Sequence, residues 1–255
     1  MLLAVDAGNS NLTLGAYEGD SLLFHARLAT DRSLTADQYA MQLAEVIRLY
    51  RADPACCADA VIGSVVSELT GTLAQAARTL TGREALVLAP GVRTGLNIKI
   101  DNPAQLGADL IATAVAAKGL YPLPCVVVDL GTATKLSAIA ADGSFLGCAI
   151  AAGLAISLEA LAARTSQLPR IAFQAPPRCI GTNSVDSMQS GTVFGTACMI
   201  DGMVEHMEVE LGGRATVVAT GGLSRDIIRY CQREIIHNGD LALGGLREIW
   251  RKNRG

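Results

Sequence analysis

Aromatic side chains are few in this sequence, which also has no long apolar run and only a small net charge. Only 4% of the 255 residues are Phe, Trp or Tyr whereas 50% are hydrophobic, so aliphatic side chains must supply most of the core. That balance favours a tightly packed α/β protein over a β-sandwich. No apolar run reaches the roughly 18 residues that a membrane-spanning helix needs. The sequence starts with a predicted strand and shows neither the basic segment nor the cleavage site of a secretory signal, so we expect a cytoplasmic protein with no membrane partner.

Neither the charges nor the cysteines indicate a nucleic-acid or zinc-binding protein. The formal net charge is −3, and the Lys and Arg residues are scattered along the chain, so no nucleic-acid partner is predicted. The 7 cysteines form no C-x-x-C pair, and with only 3 histidines in the chain this argues against a zinc site. Reduced thiols in a cytosolic protein are the simplest interpretation.

An internal repeat is the most informative feature of the sequence. Residues 5–23 and 128–146 align without a gap at a constant offset of 123 residues, which matches Asp6 with Asp129. In each copy an apolar strand ends in Asp, a glycine turn with small polar residues follows, and a second turn leads into a third strand. Each half of the chain is therefore predicted to open with the same β-hairpin.

Helices and strands alternate after each hairpin. Thr35-x-x-Gln38 has the form of a capping box and precedes apolar residues at helical spacing. Further helices are predicted over 73–80, 153–163, 188–211 and 241–252, and further strands over 61–66, 85–89 and 216–220. The pattern predicts two α/β domains of similar topology, residues 1–118 and 119–255, with a cleft between them.

The two glycine turns have a composition that suits a nucleotide triphosphate. Glycine lets backbone N–H groups approach a phosphate closely, and an Asp at a strand end can hold a cation such as Mg²⁺. Phosphoryl transfer depends largely on such positioning and charge neutralisation. A third glycine segment, Ala219 to Ser224, could approach the adenosine or be an ordinary strand-to-helix turn. The chain has neither a G-x-x-x-x-G-K-[ST] nor a G-x-G-x-x-G motif, so the prediction of ATP binding depends on the paired hairpins.

Several segments resemble the type III pantothenate kinases, in the same order and at the same spacing. Asp6-Ala7-Gly8-Asn9-Ser10-Asn11 resembles their opening DxGNTN, and the segment from Asp129 to Thr134 resembles their DxGTAT. Other matching segments are Asp101-Asn102-Pro103 with Gly107-Ala108-Asp109, Ile180 to Ser184 with Gln189-Ser190-Gly191, Ala219 to Gly222, and Leu241 to Arg247. The resemblance covers essentially the whole chain. It implies two ribonuclease-H-like (actin-like ATPase) domains with a duplicated βββαβ core, and a kinase that phosphorylates pantothenate with ATP and Mg²⁺ in the first step of coenzyme A synthesis.

The resemblance also implies roles for individual residues. The first ATP-phosphate loop would comprise Asp6, Ala7, Gly8, Asn9, Ser10, Asn11, Leu12 and Thr13. Thr132 would contact ATP from the other side, and Asp129 would hold a monovalent cation, K⁺ or NH₄⁺. Asp109 would be the general base that takes the proton from the hydroxyl of pantothenate. The pantothenate pocket would be lined by Ile100, Gly107, Ala108, Asp109, Leu110 and Ser184. Because the family forms homodimers, a second copy of the chain is the expected partner.

The position of Asp109 is compatible with this role. It stands at the start of a predicted helix, where helix N–H groups stabilise a carboxylate and leave it able to accept a proton. An aspartate at a helix start is also common without any chemical role, so the spacing leaves both interpretations open. The surrounding motif favours the base.

The sequence departs from the family at positions near this site. Leu110 stands in place of an Arg, Ile100 in place of a Tyr, and Ser184 in place of a Thr. The missing Arg matters because a guanidinium binds a carboxylate through two hydrogen bonds, and pantothenate is a carboxylate. Other cations that could replace it are Lys99, Arg93, Arg164 and Arg170. Lys135 replaces a neutral residue after the second turn; it could be a solvated lysine at a strand edge or supply positive charge in place of the monovalent cation.

Three functions are compatible with these residues. The favoured one is a pantothenate kinase with an altered substrate pocket. A kinase of the same fold for another small alcohol is suggested by Leu110 and Ile100. The third is a paralogue that binds nucleotide but acts as a regulatory or partner-binding protein. The intact phosphate turns and Asp109 argue against it.

Overall fold

The computed structural model describes residues 1–254, which form eleven strands in two sheets and seven α-helices. The strands are β1 (Leu2–Ala7), β2 (Asn11–Glu18), β3 (Ser21–Ala29), β4 (Asp59–Ser64), β5 (Leu86–Val87), β6 (Asn97–Ile98), β7 (Cys125–Leu130), β8 (Ala133–Ile139), β9 (Ser144–Ala152), β10 (Thr216–Thr220) and β11 (Ile236–His237). The helices are α1 (Ala36–Leu49), α2 (Ser67–Thr81), α3 (Ala108–Leu120), α4 (Leu154–Arg164), α5 (Ser184–Leu211), α6 (Ser224–Ile228) and α7 (Leu241–Arg254). None of the helices in this described part is both long and apolar enough to cross a membrane.

The second sheet repeats the strand order of the first. The first sheet has the order β3-β2-β1-β4-β5, and the second contains β9-β8-β7-β10-β11 with β6 added beyond β9. In both sheets the first three strands are antiparallel, and the last two join in parallel after helical connections. The predicted duplication of an α/β core is therefore confirmed.

The two hairpins differ in register, although their sequences align without a gap. Asp6 lies opposite Thr13 in the first hairpin, whereas Asp129 lies opposite Lys135 in the second. The turn between the first two strands is one residue shorter in the second copy, and the next turn is one residue longer. The gap-free alignment is consequently wrong within the middle strand, where the counterpart of Thr13 is Lys135 and not Leu136.

Local capping explains where the helices begin. The predicted capping box of α1 is present: the Thr35 hydroxyl accepts a hydrogen bond from the Gln38 N–H, and Gln38 Oε1 accepts one from the Thr35 N–H at 2.9 Å. Helix α5 starts at Ser184, four residues before the predicted start at Met188, because the Asn183 side chain accepts a hydrogen bond from the Asp186 N–H at 2.9 Å. The polar first turn of α5 carries no apolar periodicity, so the sequence pattern does not reveal it.

The chain forms two compact units, each built on one of the sheets. One unit contains Met1–Leu96, Asp101–Gly119 and the segment that begins at Asp240; the other contains Asn97–Ile100 and Leu120–Gly239. Helix α7 thus belongs to the unit of the first sheet, where Leu243, Leu246 and Ile249 are completely buried among side chains of β1, β4 and α3. The boundary between residues 118 and 119 follows from the sequence repeat and stays a prediction.

Candidate active site

The first glycine turn lies between β1 and β2 and is hydrogen-bonded to the residue that follows β3. The Gly8 N–H donates to the Asn11 carbonyl at 3.0 Å, and the Thr30 hydroxyl donates to the Gly8 carbonyl at 2.7 Å. The side chains at the tip, from Asn9 to Asn11, are exposed, and Asp6 is half-buried at the end of β1. The turn therefore presents polar groups on a fixed backbone.

Two of the predicted ATP-contacting residues can act only through their backbone. The side chains of Ala7 and Leu12 are 0% exposed and belong to the core of the first unit. Thr30 was not recognised from the sequence, because nothing in its neighbourhood marks a threonine that supports a turn about twenty residues earlier in the chain.

The second glycine turn, between β7 and β8, is packed against the start of α4. The Gly131 N–H donates to the Ala133 carbonyl at 3.2 Å, and Thr132 is exposed at the tip. A Cβ atom added to Gly153 would lie 2.2 Å from the Thr132 carbonyl oxygen, so only glycine fits at the N-cap of α4. The helix N-terminus, which favours negative charge, consequently lies against this turn.

The third glycine segment lies beside the same turn. Strand β10 pairs with β7 in parallel, with Thr220 opposite Asp129. Gly221 has a φ of +93°, and a Cβ atom there would lie 2.6 Å from the Leu130 carbonyl and 2.8 Å from Asp129 Oδ1. Asp129, the Thr132 turn and Gly221 thus meet at the carboxyl ends of β7 and β10.

Lys135 forms an ion pair with Asp129 at this point. The two residues face each other across β7 and β8, and Lys135 Nζ lies 2.7 Å from Asp129 Oδ2. Their side chains are only 15% and 17% exposed, so the interpretation of Lys135 as a solvated lysine at a strand edge is wrong. The resemblance implies a potassium or ammonium ion on Asp129. An ion bound to Oδ2 would have to displace the Lys135 ammonium, so the residues present do not fit a dissolved cation at this oxygen.

Asp109 lies in the first turn of α3, as the sequence predicts. Its Oδ1 accepts a hydrogen bond from the Leu110 N–H at 2.8 Å, and a Cβ atom on Gly107 would lie 2.6 Å from the same oxygen. The Asn102 side chain caps the short 3₁₀ turn that leads into this loop by accepting a hydrogen bond from the Ala104 N–H at 3.2 Å. The half-buried carboxylate is therefore held by the loop that precedes the helix.

The predicted pantothenate-binding residues are divided between the two units. Gly107, Ala108, Asp109 and Leu110 belong to the first unit, whereas Ile100 and Ser184 belong to the second. Leu110 is only 7% exposed, and Ala108 likewise, so both side chains serve mainly in packing. Ser184 is exposed at the start of α5, where it lines a groove of about 950 Å³ between α4 and α5.

One of the cations considered as a replacement for the missing Arg is engaged elsewhere. Lys99 donates to Asp142 at 2.9 Å, with both side chains about half exposed. This hydrogen bond, together with those from the Ser144 backbone and hydroxyl, lowers the pKa of Asp142 to about 2. Arg164 and Arg170 are exposed.

Comparisons with known proteins agree with the motifs. Residues 2–206 match a family model described as type III pantothenate kinase. A curated type III pantothenate kinase from Moorella thermoacetica is 42% identical over 255 residues, covering 99% of this chain and 100% of that protein.

Two solved structures share the fold at low sequence identity. A Baf family protein from Campylobacter jejuni has a TM-score of 0.64 and 20% identity over 98% of each chain. The activator of 2-hydroxyisocaproyl-CoA dehydratase from Clostridium difficile, solved with bound ADPNP, has a TM-score of 0.55 and 11% identity over 98% of this chain and 94% of that one. These likenesses bear on the fold alone, and with the two sheets of repeated strand order they confirm the predicted fold, an α/β protein with a duplicated core.

Proposed function

The chain belongs to the type III pantothenate kinase family, and we propose how its own residues perform that family's reaction. The protein is a kinase that phosphorylates pantothenate with ATP in coenzyme A biosynthesis, and it uses ATP with a divalent metal ion. The 42% identity to a curated relative over almost the entire chain is the observation that carries this conclusion.

We propose that the two glycine turns hold the phosphates of ATP. The residues from Asp6 to Thr13 would contact them from the first unit and Thr132 from the second. This proposal is supported by the exposed polar tips and by the Thr30 and Gly153 contacts that fix each backbone. A divalent ion bound with the nucleotide would neutralise charge on the phosphate oxygens, and the half-buried Asp6 carboxylate at the end of β1 is suited to hold it directly or through water.

Asp109 is the proposed general base. Its carboxylate would accept the proton of the substrate's primary hydroxyl while the hydroxyl oxygen forms a bond to the γ-phosphorus and the bond to ADP breaks. The Gly107 loop and the Leu110 N–H hold the carboxylate in one orientation, which is what a positioned base requires.

The pantothenate pocket is proposed to include Ile100, Gly107, Ala108, Asp109, Leu110 and Ser184. Because Leu110 stands where the resemblance expects Arg, we propose that the substrate carboxylate is bound without a guanidinium at this position. Steady-state ADP release with pantothenate and with pantothenyl alcohol, which lacks the carboxylate, tests this proposal. We expect kcat/KM to fall by less than about tenfold with the alcohol, since no two-pronged contact is lost.

Three other outcomes are informative. A loss of more than about 100-fold with the alcohol would show that another cation binds the carboxylate and would refute this assignment. Turnover of other alcohols with none of pantothenate would select the kinase for a different substrate. Nucleotide binding without any turnover would select the regulatory paralogue.

A homodimer is the proposed assembly. Helices α4 and α5 expose the apolar side chains of Ile156, Leu161 and Val185 at about 40% exposure, and Leu161 lines the groove. Clustered exposed apolar side chains are typical of an interface. Sedimentation velocity is expected to give a dimer, and Leu161→Glu to give a monomer. The matched variant Met41→Glu changes an exposed apolar residue on α1 and should leave the dimer intact; a monomeric unmodified chain would refute the proposal.

Asp129 is proposed to require one positive charge beside the second turn. In the family that this sequence resembles, a potassium or ammonium ion provides that charge, whereas Lys135 Nζ lies 2.7 Å from Asp129 Oδ2 in this chain.

A cytoplasmic location is proposed as well. All seven cysteines lie within the described residues and are free thiols, including the exposed Cys56, Cys148, Cys179 and Cys198. Reduced thiols are typical of cytosolic proteins.

A further inference from the structure

The ion pair between Asp129 and Lys135 differs from the other lysine–carboxylate contact of the same unit. Lys99 and Asp142 are 50% and 57% exposed, as expected of a surface pair. Lys135 and Asp129 are 15% and 17% exposed and lie at the ends of two central strands of the second sheet. Burying two charges to this extent costs free energy unless the charges pair with each other. The ion pair is therefore a structural part of the site.

The two carboxylate oxygens of Asp129 have different neighbours: Lys135 pairs with Oδ2, and the Gly221 backbone packs closely against Oδ1. Oδ2 receives Lys135 Nζ at 2.7 Å, while a Cβ atom on Gly221 would lie 2.8 Å from Oδ1. The Thr132 turn follows Asp129 directly. The positive charge is therefore fixed next to the turn that is proposed to meet the phosphates of ATP.

A lysine ammonium has the properties of the ion that it would replace. It carries one positive charge, donates three hydrogen bonds and is a compact point charge, much like ammonium itself. The corresponding position of the first hairpin is the neutral Thr13, so the second hairpin alone carries this cation.

We propose that the Lys135 ammonium is a covalently tethered monovalent cation that serves Asp129, so that this kinase requires no dissolved potassium or ammonium ion there. This inference rests on the proposed role of Asp129 beside the second phosphate turn. Lys135 acts through Asp129 and the turn, and is a positioning residue rather than a catalytic one. A tethered charge occupies its site regardless of the ion concentration in the medium, which is the consequence that an experiment can detect.

The first experiment uses the unmodified protein. ADP release with pantothenate is measured in tetramethylammonium chloride, whose cation is too large to bind a single carboxylate oxygen closely, and then with increasing KCl or NH₄Cl at constant ionic strength. We expect kcat and kcat/KM to change by less than about twofold. A rise of about tenfold or more with potassium or ammonium would overturn the proposal.

The second experiment removes the tethered charge. We expect Lys135→Met to lose roughly 100-fold in kcat/KM in tetramethylammonium chloride, because a charge that faces the phosphates is missing. Added NH₄Cl should restore most of the activity, which a purely structural role of the lysine would not allow. Titration calorimetry with ADP gives a second readout: NH₄Cl should tighten nucleotide binding by the variant and leave binding by the unmodified protein unchanged.

The control is Lys252→Met, which removes one positive charge from an exposed position on α7. It should behave like the unmodified protein in every salt. If Lys135→Met is folded and inactive but does not respond to NH₄Cl in turnover or binding, the tethered-cation role is refuted. An unmodified protein that is inactive in every salt, by contrast, would refute the proposed residue roles and not this inference alone.

Discussion

The two hairpins differ in the charge of the residue that faces the strand-terminal aspartate. Thr13 faces Asp6 in the first hairpin, whereas Lys135 faces Asp129 in the second, and only the second pair is an ion pair. Two similar hairpins thus differ in charge at equivalent positions. Under the proposed roles, Asp6 serves the divalent ion of the nucleotide, whereas Asp129 is paired with Lys135.

Asp109→Asn is the residue-scale test of the proposed base. The amide keeps the shape of the side chain and cannot accept the substrate proton, so kcat is expected to fall by about 1,000-fold. ADP affinity, measured by calorimetry, should stay the same. Asp37→Asn is the matched control, because Asp37 is also an acidic residue in the first turn of a helix of the same unit but is exposed. Unchanged turnover in Asp109→Asn would refute the assignment.

The sequence predicts single residues well where a local rule applies. The strand-terminal aspartates, the capping box at Thr35 and the helix-start position of Asp109 all lie where the motifs indicate. The register that places Lys135 opposite Asp129 could not be predicted, because two opposite one-residue changes in turn length cancel in the alignment, and the sequence left the role of Lys135 open. Only the hydrogen-bonded register of the strands reveals them.

At the scale of elements, the contact between α3 and α7 depends on a glycine. A Cβ atom on Gly245 would lie 1.8 Å from the Ala112 carbonyl oxygen, so α7 approaches α3 backbone to backbone. Gly245→Ala is expected to lower the free energy of unfolding by about 3 kcal/mol, since the helices must move apart. The neighbouring Gly244→Ala meets no atom within 4 Å and should raise it by up to about 1 kcal/mol through better helix propensity. Urea unfolding of both variants checks this pair, and equal effects would contradict the close approach.

The contact between the second turn and α4 gives a prediction about activity. Gly153→Ala would place a Cβ atom 2.2 Å from the Thr132 carbonyl oxygen and push the turn away from α4. Because a shift of about 1 Å in a positioning group costs roughly 100-fold, kcat/KM for ATP is expected to fall by about that factor. Gly202→Ala on α5, which meets no atom within 4 Å, is the control. Normal ATP kinetics in Gly153→Ala would argue against a role of this turn.

Element boundaries were predictable only where apolar periodicity reaches the end of the element. Strand β10 spans the predicted residues 216–220, but α5 begins earlier than predicted, because its first turn is polar and is defined by the Asn183 cap. The strand predicted at 61–66 has the expected length but lies two residues earlier, at Asp59–Ser64, and the strand predicted at 85–89 is shorter, at Leu86–Val87. Apolar runs continue past the last strand hydrogen bond, so they misplace the ends of strands.

For the whole molecule, the raised pKa values of buried thiols and a phenol make stability depend on pH in the alkaline range. Burial raises the pKa of Tyr17 and of Cys125 to about 12 and that of Cys57 to about 11. These groups stay protonated in the folded protein, while the unfolded chain loses its protons above the ordinary values of 9.0 for Cys and 10.0 for Tyr. Their contribution to stability should therefore be complete below about pH 9 and should be lost as the pH rises toward these raised pKa values.

The urea midpoint, measured near neutral pH and again above the ordinary thiol pKa, checks this expectation. Cys125→Ala should make the alkaline decline shallower, because one group that ionises only on unfolding is removed. Cys56→Ala is the matched control, since Cys56 is exposed. A midpoint that is constant across this range would contradict the expectation.

The sequence predicts the duplicated architecture of the whole chain but not the membership of its last helix. The repeat at 5–23 and 128–146 indicates two similar halves, and both sheets follow. The apolar residues of α7 recur at helical spacing, which predicts that one face of the helix is buried. This pattern does not predict which of the two sheets the helix packs against. Its burial with β1 and β4 follows from three-dimensional packing around Leu243, Leu246 and Ile249.

The placement of α7 has a consequence for how the protein is made. The first sheet leaves the ribosome early, but the helix that completes its core is translated more than a hundred residues later, after the whole second sheet. At elongation rates of about 10 residues per second, the nascent first unit waits for roughly ten seconds before α7 can cover its apolar surface. Folding of the first unit therefore cannot be completed before the second sheet has been translated.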